Sequence, residues 1–418
     1  MTKTQATIIT IGDELLIGQV IDTNSAWIAQ ELNKAGVAVR RRVAVADDWI
    51  EIWNALDAEL ENADIILITG GLGPTADDIT KPLLCKYFGG TLTVNDEALA
   101  NVKYLFEVVF KRPLIPVNLK QAEVPDVCTV IQNKRGTAPG MWFNKNGKII
   151  ISMPGVPHEM KGMMTSTIIP KLLEEFDLPV IVHRTLLTAG VGESFLSENL
   201  KEFESNLSKD IKLAYLPSSG MVRLRLSSSG FDKIETIKAI DHKFLELQSI
   251  ITEYIVTVND EPLAKALGNL LATDNKTMAT AESCTGGHIA QLITTNPGSS
   301  AYYKGSIISY DNAVKENILK VSAQTLLEHG AVSEQTVKEM LAGVLKVVGA
   351  DYALAVSGIM GPDGGSSDKP VGTVWIAAGT ADKYVTKQFN FRFDRARNIE
   401  FTSLNALNLL RKFITGQP

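Results

Sequence analysis

The sequence is poor in residues that build disulfide frameworks or metal sites. Its 418 residues include three cysteines, Cys85, Cys128 and Cys284, and none of them forms a C-x-x-C pair. The five histidines are scattered and form no H-E-x-x-H pattern. These absences argue against a disulfide scaffold and a zinc site of the usual spacing, and so few cysteines are typical of a reducing, cytoplasmic compartment.

The chain also lacks long apolar runs and a surplus of positive charge. No uninterrupted apolar stretch approaches the roughly 20 residues that a membrane helix needs, and the N-terminus lacks the features of a signal peptide. Lysine and arginine number 41 against 47 aspartates and glutamates, which gives a net charge of -6. We therefore expect no membrane and no nucleic-acid partner, although a local positive pocket for a phosphorylated metabolite is compatible with this balance.

Strand-like and helical patterns alternate in the first and last parts of the chain. Apolar runs such as Ala6–Gly12 and Ala63–Gly71 predict strands, and Ser25–Leu32 has helical spacing. Apolar strands that alternate with helices predict a mostly parallel sheet with helices on both faces.

The middle of the chain has a different pattern, with strands and helices in a small α+β arrangement. A chain of this length has room for about three domains. We therefore predict an α/β domain over 1–176, an α+β module over 177–258, and a second α/β domain over 259–418.

Three strand ends in the last domain hold unusual residues. ESCTGG follows the strand KTMATA, and YDNAVK follows GSIIS, which places Tyr310 at a strand end and Lys315 in the first turn of a helix. The third is a long glycine-rich loop, Ser357–Gly372, between two strands. Because ligands of open α/β sheets bind beyond the carboxyl ends of strands, we expect a site here.

The residues alone leave the roles at this site open. Ser283 is either a nucleophile or a cap of the following helix, and Cys284 is either a nucleophilic thiolate or a small buried residue. Lys315 is a base if burial and the helix N-terminus lower its pKa, and otherwise an ordinary helix lysine. The backbone N–H groups of Gly286 and Gly287 could hold an anion.

Long motifs in this domain resemble the C-terminal domain of the CinA (competence/damage-inducible protein) family. They are AESCTGG, NPGSSAYYKGSIISYDNAVKENIL, GAVSEQTVKEM and SGIMGPDGG followed by KPVGTVW. That domain is similar to nicotinamide mononucleotide amidohydrolases, which implies a Ser–Lys pair, Ser283 and Lys315, with Tyr310 beside it and no cofactor. Two positions depart from the family pattern: Met360 stands for alanine, and Ile399 stands where a second arginine is usual.

The resemblance and the loop positions together imply a set of residues that bind the nucleotide substrate. They are Thr285, Gly286, Gly287, Ser357, Gly358, Gly361 and Arg395.

The first domain resembles the same family's N-terminal domain, which is similar to molybdopterin-binding domains. The motifs are IGDELLIGQVIDTNSAWIAQEL, TGGLGPTADDITK, NKRGTAPGMW and MPGVPHEM. The resemblance implies an ADP-ribose pyrophosphatase activity that depends on a divalent metal and potassium. The residues implied in ADP-ribose or phosphate binding are Gly70, Gly71, Gly73, Thr75, Gly136, Pro139, Gly140 and Gly155.

The residues of this motif are compatible with phosphate and metal. The glycines of GGLGPT allow a phosphate close to the backbone, and Asp77 and Asp78 offer hard oxygen ligands to a metal. The alternative is that Asp78 caps the helix that starts near Ile79. Asp13 and Asp22 are weaker metal candidates.

The middle module falls where the family has a KH-type module. It contains no Gly-x-x-Gly clamp and is not basic, so we interpret it as a spacer or a dimerisation module rather than an RNA-binding one. The sequence thus predicts a homodimeric, bifunctional enzyme that acts on small-molecule nucleotides. The alternatives are a binding protein without turnover and an accessory protein of competence or DNA damage.

Overall fold

The structure is a computed structural model that describes residues 4–75 and 78–417. Contacts divide the chain into two compact units. One unit contains the residues up to 182 together with 228–238, and the other contains 183–227 together with the residues from 239 onward. This division does not decide the predicted boundaries at 176 and 258, which stay predictions.

The first 176 residues form a six-stranded sheet, a two-stranded sheet and flanking helices. The strands are β1 (Gln5–Ile11), β2 (Ala38–Val45), β3 (Ile65–Thr69), β4 (Leu92–Val94), β5 (Glu123–Pro125), β6 (Thr129–Ile131), β7 (Gly140–Lys145) and β8 (Lys148–Met153). The helices are α1 (Asp13–Leu16), α2 (Thr23–Lys34), α3 (Trp49–Leu60), α4 (Thr80–Tyr87), α5 (Asp96–Tyr104), α6 (Pro116–Leu119), α7 (Pro157–Met163) and α8 (Ile169–Glu175). Short π-helical turns at Leu105–Val109 and Met164–Ile168 extend α5 and join α7 to α8.

The large sheet has the order β2-β1-β3-β8-β7-β6. Its β2, β1, β3 and β8 strands are parallel, and the hairpin that turns at Asn146 and Gly147 makes β7 antiparallel to β8. Successive apolar residues of β1 face opposite sides, so Ile8 packs in one core with α2 and Ile9 packs in the other with α3. Both faces are therefore covered, as the continuous apolar strands predict.

The middle segment contains the elements of an α+β module. They are β9 (Val180–Ala189), α9 (Glu193–Asn199), α10 (Lys201–Ser205), β10 (Ile211–Ser218), β11 (Met221–Gly230), α11 (Lys233–Ile250) and β12 (Ile255–Thr257). The strands form a four-stranded sheet in the order β10-β11-β9-β12.

The last segment forms a five-stranded sheet with helices on both faces. The strands are β13 (Met278–Glu282), β14 (Tyr303–Ile308), β15 (Tyr352–Gly358), β16 (Thr373–Gly379) and β17 (Tyr384–Asn390). The helices are α12 (Leu263–Thr273), α13 (His288–Thr294), α14 (Asn312–Asn317), α15 (Ala323–His329), α16 (Glu334–Val348) and α17 (Arg395–Thr415).

This sheet has the order β14-β13-β15-β16-β17. The first three strands in that order are parallel, and β16 and β17 continue the sheet antiparallel. The prediction of α/β domains with mostly parallel sheets is confirmed, with antiparallel strands at one edge of each large sheet. In the described ranges, no helix has the length and apolarity required to cross a membrane.

The two faces of the C-terminal sheet differ in side-chain size. One face presents alanines to α16, and it includes Ala279, Ala281, Ala353, Ala355 and Ala377. The opposite face presents larger side chains, such as Met278, Leu354 and Ile376, to α12, α13 and α17. Small residues shorten the distance between a helix and a sheet, so α16 can lie close to the strands.

The backbone of Gly343, in the middle of α16, lies against Leu319, two residues after the end of α14. A Cβ atom built at Gly343 would lie 2.0 Å from the carbonyl oxygen of Leu319, which is far inside van der Waals contact. This glycine therefore allows the end of α14 to pack on α16, and α14 contains Lys315.

We expect Gly343→Ala to lower the free energy of unfolding by about 1–3 kcal/mol, because the added methyl group must push the Leu319 backbone away. In an unconstrained helix the same change stabilises by roughly 1 kcal/mol. The matched control is Ala342→Gly at the exposed neighbouring position, which should lose that ordinary 1 kcal/mol or so. Chemical denaturation should show both variants to be less stable than the parent, and a more stable Gly343→Ala variant would contradict the close contact.

Candidate functional sites

A cavity of about 190 Å³ lies at the carboxyl ends of the parallel strands in the C-terminal domain. Among the residues predicted for this site, it is lined by Ser283, Tyr310, Lys315, Ser357, Gly358 and Arg395. The lining also includes Cys284, Asn312, Ala331, Val332 and Met360. The three strand ends meet because β13 lies between β14 and β15 in the sheet.

Lys315 is fully buried at this cavity, with 1% of its surface exposed. Its Nζ donates hydrogen bonds to the carbonyl oxygens of Ser309, at 2.7 Å, and Tyr310, at 3.2 Å. Burial lowers the pKa of Lys315, and the nearby Asp311 carboxylate opposes this shift without cancelling it. A neutral amine has two N–H groups and one lone pair, so with both N–H groups bonded to carbonyls the lone pair is free to accept a proton.

Ser283 and Cys284 differ in what their environment allows. The Ser283 side chain has no hydrogen-bond partner within the described ranges, and it does not cap α13, so the capping alternative is wrong. Burial raises the pKa of the Cys284 thiol to about 12, and Glu282 adds to the rise. Because the thiolate is the nucleophilic form, Cys284 is inert at neutral pH. Ser283 is thus the better nucleophile of the pair.

The carboxylate of Glu282, the last residue of β13, is fully buried beside Ser283. It accepts hydrogen bonds from the backbone N–H groups of Gly287, Ile289 and Ala290 at 2.8–3.1 Å. The Thr285 hydroxyl donates a further bond to it at 2.7 Å. A carboxylate of the protein itself therefore occupies the N-terminus of α13.

The sequence-based expectation that Gly286 and Gly287 hold an anion needs correction. The Gly286 N–H donates to the Ser283 carbonyl oxygen, and the Gly287 N–H donates to Glu282. Neither glycine lines the cavity, and neither does Thr285 or Gly361. Sequence reasoning missed Glu282 because nothing in its pattern distinguishes a buried carboxylate from the polar end of a strand.

Arg395, the first residue of α17, connects two of the loops at the cavity. Its Nη1 donates to the carbonyl oxygen of Gly361 at 2.8 Å, and its Nη2 donates to the Tyr310 hydroxyl oxygen at 3.2 Å. The cavity lining contains Lys315 and Arg395 and no acidic side chain. This arrangement is suited to an anionic ligand.

The two positions that depart from the family pattern lie in the apolar core. Met360 is 3% exposed, and Ile399 packs against the same core cluster. The loop that contains Met360 is held by Asn398, whose Nδ2 donates to the Met360 carbonyl oxygen at 3.0 Å. Asn398 was not among the residues predicted from the sequence.

A second cavity, of about 420 Å³, lies at the strand ends of the N-terminal domain. Its lining includes five residues predicted for phosphate or metal: Gly70, Gly71, Gly73, Gly155 and Asp78. It also includes residues that sequence reasoning did not single out, notably Glu14, Asp47, Gln121, Thr137 and Glu159. Glu14 and Glu159 lie within the motifs GDELL and PGVPHEM, so these motifs could have identified the two residues as part of the site.

The carboxylate of Asp78 holds the glycine loop in shape. It accepts hydrogen bonds from the backbone N–H groups of Gly73, at 2.7 Å, and Thr75, at 2.9 Å. The N-cap of α4 is Ile79, without a side-chain bond, so the capping alternative for Asp78 is wrong. Asp77, the other predicted metal ligand, lies outside the described residues.

Four of the residues implied in phosphate binding lie away from this cavity's lining. Gly140 starts β7, and a Cβ atom there would lie 3.0 Å from the Ser152 carbonyl oxygen, which indicates that the position serves packing within the sheet. A Cβ at Gly136 would meet the Glu159 carboxylate. Thr75 bonds to Asp78, and Pro139 precedes β7.

The side chains that could bind a divalent cation in this cavity are carboxylates. Within the described ranges, no group of three His, Cys, Asp or Glu side chains is placed to hold a metal ion. Magnesium, however, is usually bound by one or two carboxylates together with phosphate oxygens of the substrate. The cavity's acidic residues fit a metal that is bound with a phosphorylated substrate, and they do not fit a resident metal held by protein ligands alone.

Comparisons with known proteins cover almost the whole chain. Three family models match: a probable molybdopterin binding domain over 7–174, the damage-inducible protein CinA KH domain over 183–257, and the CinA C-terminal domain over 260–414. A CinA-like protein of Cytophaga hutchinsonii is 46% identical over 412 residues, and one of Flavobacterium psychrophilum is 46% identical over 411, each covering 98% of both chains. One from Chloroherpeton thalassium is 42% identical and covers 98% of this chain and 99% of its own. The chain therefore belongs to the CinA family.

Proposed function

We propose that the C-terminal domain hydrolyses the carboxamide of nicotinamide mononucleotide to give nicotinate mononucleotide and ammonia. The observation that carries the proposal is the buried Lys315, whose pKa is lowered, in one cavity with the unpartnered Ser283. A serine hydroxyl becomes a nucleophile only beside a group that accepts its proton, and a lysine of lowered pKa is such a group.

In the proposed reaction the Ser283 Oγ attacks the carboxamide carbon while its proton passes to the Nζ of Lys315. Lys315 then donates this proton to the leaving nitrogen, and ammonia departs. Water hydrolyses the resulting acyl-enzyme ester, again with Lys315 as the base, which regenerates the serine and releases the carboxylate.

The oxyanion of the tetrahedral intermediate needs donors that no other group occupies. The backbone N–H groups of Cys284 and Thr285 donate to no oxygen of the described residues, whereas those of Gly286 and Gly287 are engaged. We assign the oxyanion hole to the N–H group of Cys284, which directly follows the nucleophile and lines the cavity.

The cavity suits the nicotinamide ring better than a whole nucleotide. An apolar cavity of roughly 150 Å³ holds one benzene molecule, so about 190 Å³ matches one substituted ring. The ribose and phosphate would then extend toward Arg395, which is exposed at the rim. A guanidinium is well matched to a phosphate.

We further propose that the N-terminal domain hydrolyses an ADP-ribose-like pyrophosphate. Gly70 and Gly71 have positive φ angles, and a Cβ at Gly70 would lie 2.3 Å from the Ile11 carbonyl oxygen, so the backbone itself faces the cavity. A divalent metal bound with the substrate would neutralise phosphate charge there, with Asp78, which lines the cavity, and its sequence neighbour Asp77 as the proposed ligands. Burial raises the pKa of Glu159, which suits it to exchange a proton with the attacking water. Both reactions belong to the recycling of pyridine nucleotides.

Replacement of Ser283 by alanine should lower kcat/KM for deamidation by roughly a thousandfold or more, because the nucleophile is lost. Cys284→Ala is the matched control at the next position, and its activity should stay within about threefold of the parent, because the thiol is protonated. Ammonia release from nicotinamide mononucleotide measures both. Reversed outcomes would make Cys284 the nucleophile, and an inactive parent would favour a binding protein without turnover.

Deamidation should increase with pH through the lowered pKa of Lys315 and level off before the usual lysine range near ~10.4. The neutral amine is the active form, so protonation at lower pH removes activity. Lys315→Arg keeps the charge but not the proton transfer and should cost roughly 10²–10⁴-fold, as Lys315→Met should.

The control for this experiment is Lys320→Arg at an exposed position shortly after α14, which should leave the profile unchanged. Near-UV circular dichroism checks the fold of both Lys315 variants. A pH-independent rate in the parent from pH 6 to 10 would contradict the base role even if both variants misfold.

Hydrolysis of ADP-ribose should stop on chelation and return with added Mg²⁺, whereas deamidation by the same sample should not change. Asp77→Asn and Asp78→Asn should raise the Mg²⁺ concentration needed for half-maximal rate by roughly tenfold or more. Retained deamidation is the internal control for the fold of the C-terminal domain in the same sample. Loss of both activities on chelation would contradict a metal-free amidase.

A further inference from the structure

A third cavity, of about 280 Å³, is lined by residues of the middle module and of the C-terminal domain. The sheet of the middle module lines it on one side, and α12, α13 and α17 line it on the other, all within the second compact unit. Most of its lining is aliphatic. The residues that form its walls include Leu187, Met221, Leu263, Leu292 and Leu404.

The two charged side chains at this cavity are already satisfied by the protein. Arg223 donates from Nη1 to Asp260 Oδ1 at 2.6 Å. Glu400 accepts a hydrogen bond from the Ser219 hydroxyl. Most of the wall is aliphatic, so a charged ligand would lose hydration there; an anion would in addition meet the Glu400 carboxylate, because Arg223 is already paired with Asp260, and the cavity therefore favours an uncharged ligand.

One acceptor in the lining remains open. The Nδ2 of Asn296 donates to the carbonyl oxygens of Leu292, at 2.8 Å, and Ile293, at 3.2 Å. This fixes the orientation of the amide, and its Oδ1 accepts no hydrogen bond from a described residue. A single N–H group on the ligand would satisfy that oxygen.

The volume sets the size of the ligand. An apolar cavity of roughly 150 Å³ binds one benzene molecule, and this one is nearly twice as large. We propose that the cavity is a binding site for a small, uncharged, fused two-ring aromatic molecule with one N–H donor.

Such a ligand would bridge two helices that begin at the deamidase cavity. α13 follows the loop of Ser283, and α17 begins with Arg395, while Leu292 and Leu404 further along these helices line the third cavity. His288 Nδ1 and Ser403 Oγ, 2.8 Å apart, join the two helices directly. An occupant that packs against both helices should reduce their local opening.

Indole is the probe that tests the site on the full-length protein. Titration calorimetry should show binding with a Kd below about 1 mM, and amide hydrogen exchange in α13 and α17 should slow on addition of indole. Indole-3-acetate, which has the same ring and a negative charge, should bind at least tenfold more weakly.

Two variants reduce the space and should each weaken indole binding at least tenfold. Ala264→Leu adds atoms to the wall, and Leu216→Trp places a larger ring at the partly exposed mouth. The matched control is Leu245→Trp on the exposed face of α11, away from the cavity, which should bind indole as the parent does. If one filling variant does not fold, the other still decides the question.

The proposal is overturned if indole does not bind at its solubility limit, if the folded filling variants bind it as tightly as the parent, or if the acetate binds equally well. Unchanged exchange in α13 and α17 on saturation would overturn the link to those helices. None of these measurements depends on deamidase activity, so the proposal can fail or hold independently of the function proposed above.

Discussion

The buried carboxylate of Glu282 is the interaction on which the C-terminal site depends. Its two oxygens accept hydrogen bonds from β14, through the Ser306 hydroxyl, and from the start of α13. A charge removed from water is tolerated only when such donors surround it. Loss of these hydrogen bonds would leave a buried carboxylate without donors, which costs much free energy. The turn that contains Ser283 is therefore held in one conformation between β13 and α13.

The same arrangement separates the roles of three neighbouring residues. Glu282 occupies the N–H groups of α13, which leaves the N–H groups of Cys284 and Thr285 as the free donors near Ser283. Its charge also helps to keep the Cys284 thiol protonated. The N-terminus of α13 is neutralised internally by Glu282, so in the proposed reaction Arg395, in the lining of the cavity, is the group that would bind the phosphate.

Many strands and helices could be predicted from the sequence because the spacing of apolar residues and the turn residues determine them locally. β1, β3 and the hairpin of β7 and β8 lie where the apolar runs and the Asn146-Gly147 turn predict them. The order of the strands, which brings ESC, YDN and SG to one cavity, depends on long-range packing that no local pattern contains. The position of Lys315 near the end of a strand could be predicted from the sequence, but the burial of its side chain could not.

Of the two causes expected for a lowered pKa of Lys315, burial is confirmed and the helix N-terminus is not. The sequence suggested that the helix N-terminus would contribute, yet α14 has six residues, and its first and last turns overlap at Lys315. Burial is the main cause, and the close approach of Gly343 to Leu319 holds the segment after α14 against α16. This contact between positions 319 and 343 is not visible in any motif around the lysine itself.

The N-terminal cavity illustrates the converse case, in which a motif suggests more than the side chain provides. The motif predicts Asp78 as a metal ligand, but the carboxylate of Asp78 already accepts hydrogen bonds from Gly73 and Thr75 and so shapes the glycine loop. An oxygen that accepts backbone hydrogen bonds still has a lone pair, but it can approach a cation only from the side that the loop leaves open. That side faces the cavity, where a pyrophosphate would lie. We propose that a metal at this position would be bound together with the substrate, so that its affinity would depend on the ligand as well as on the protein.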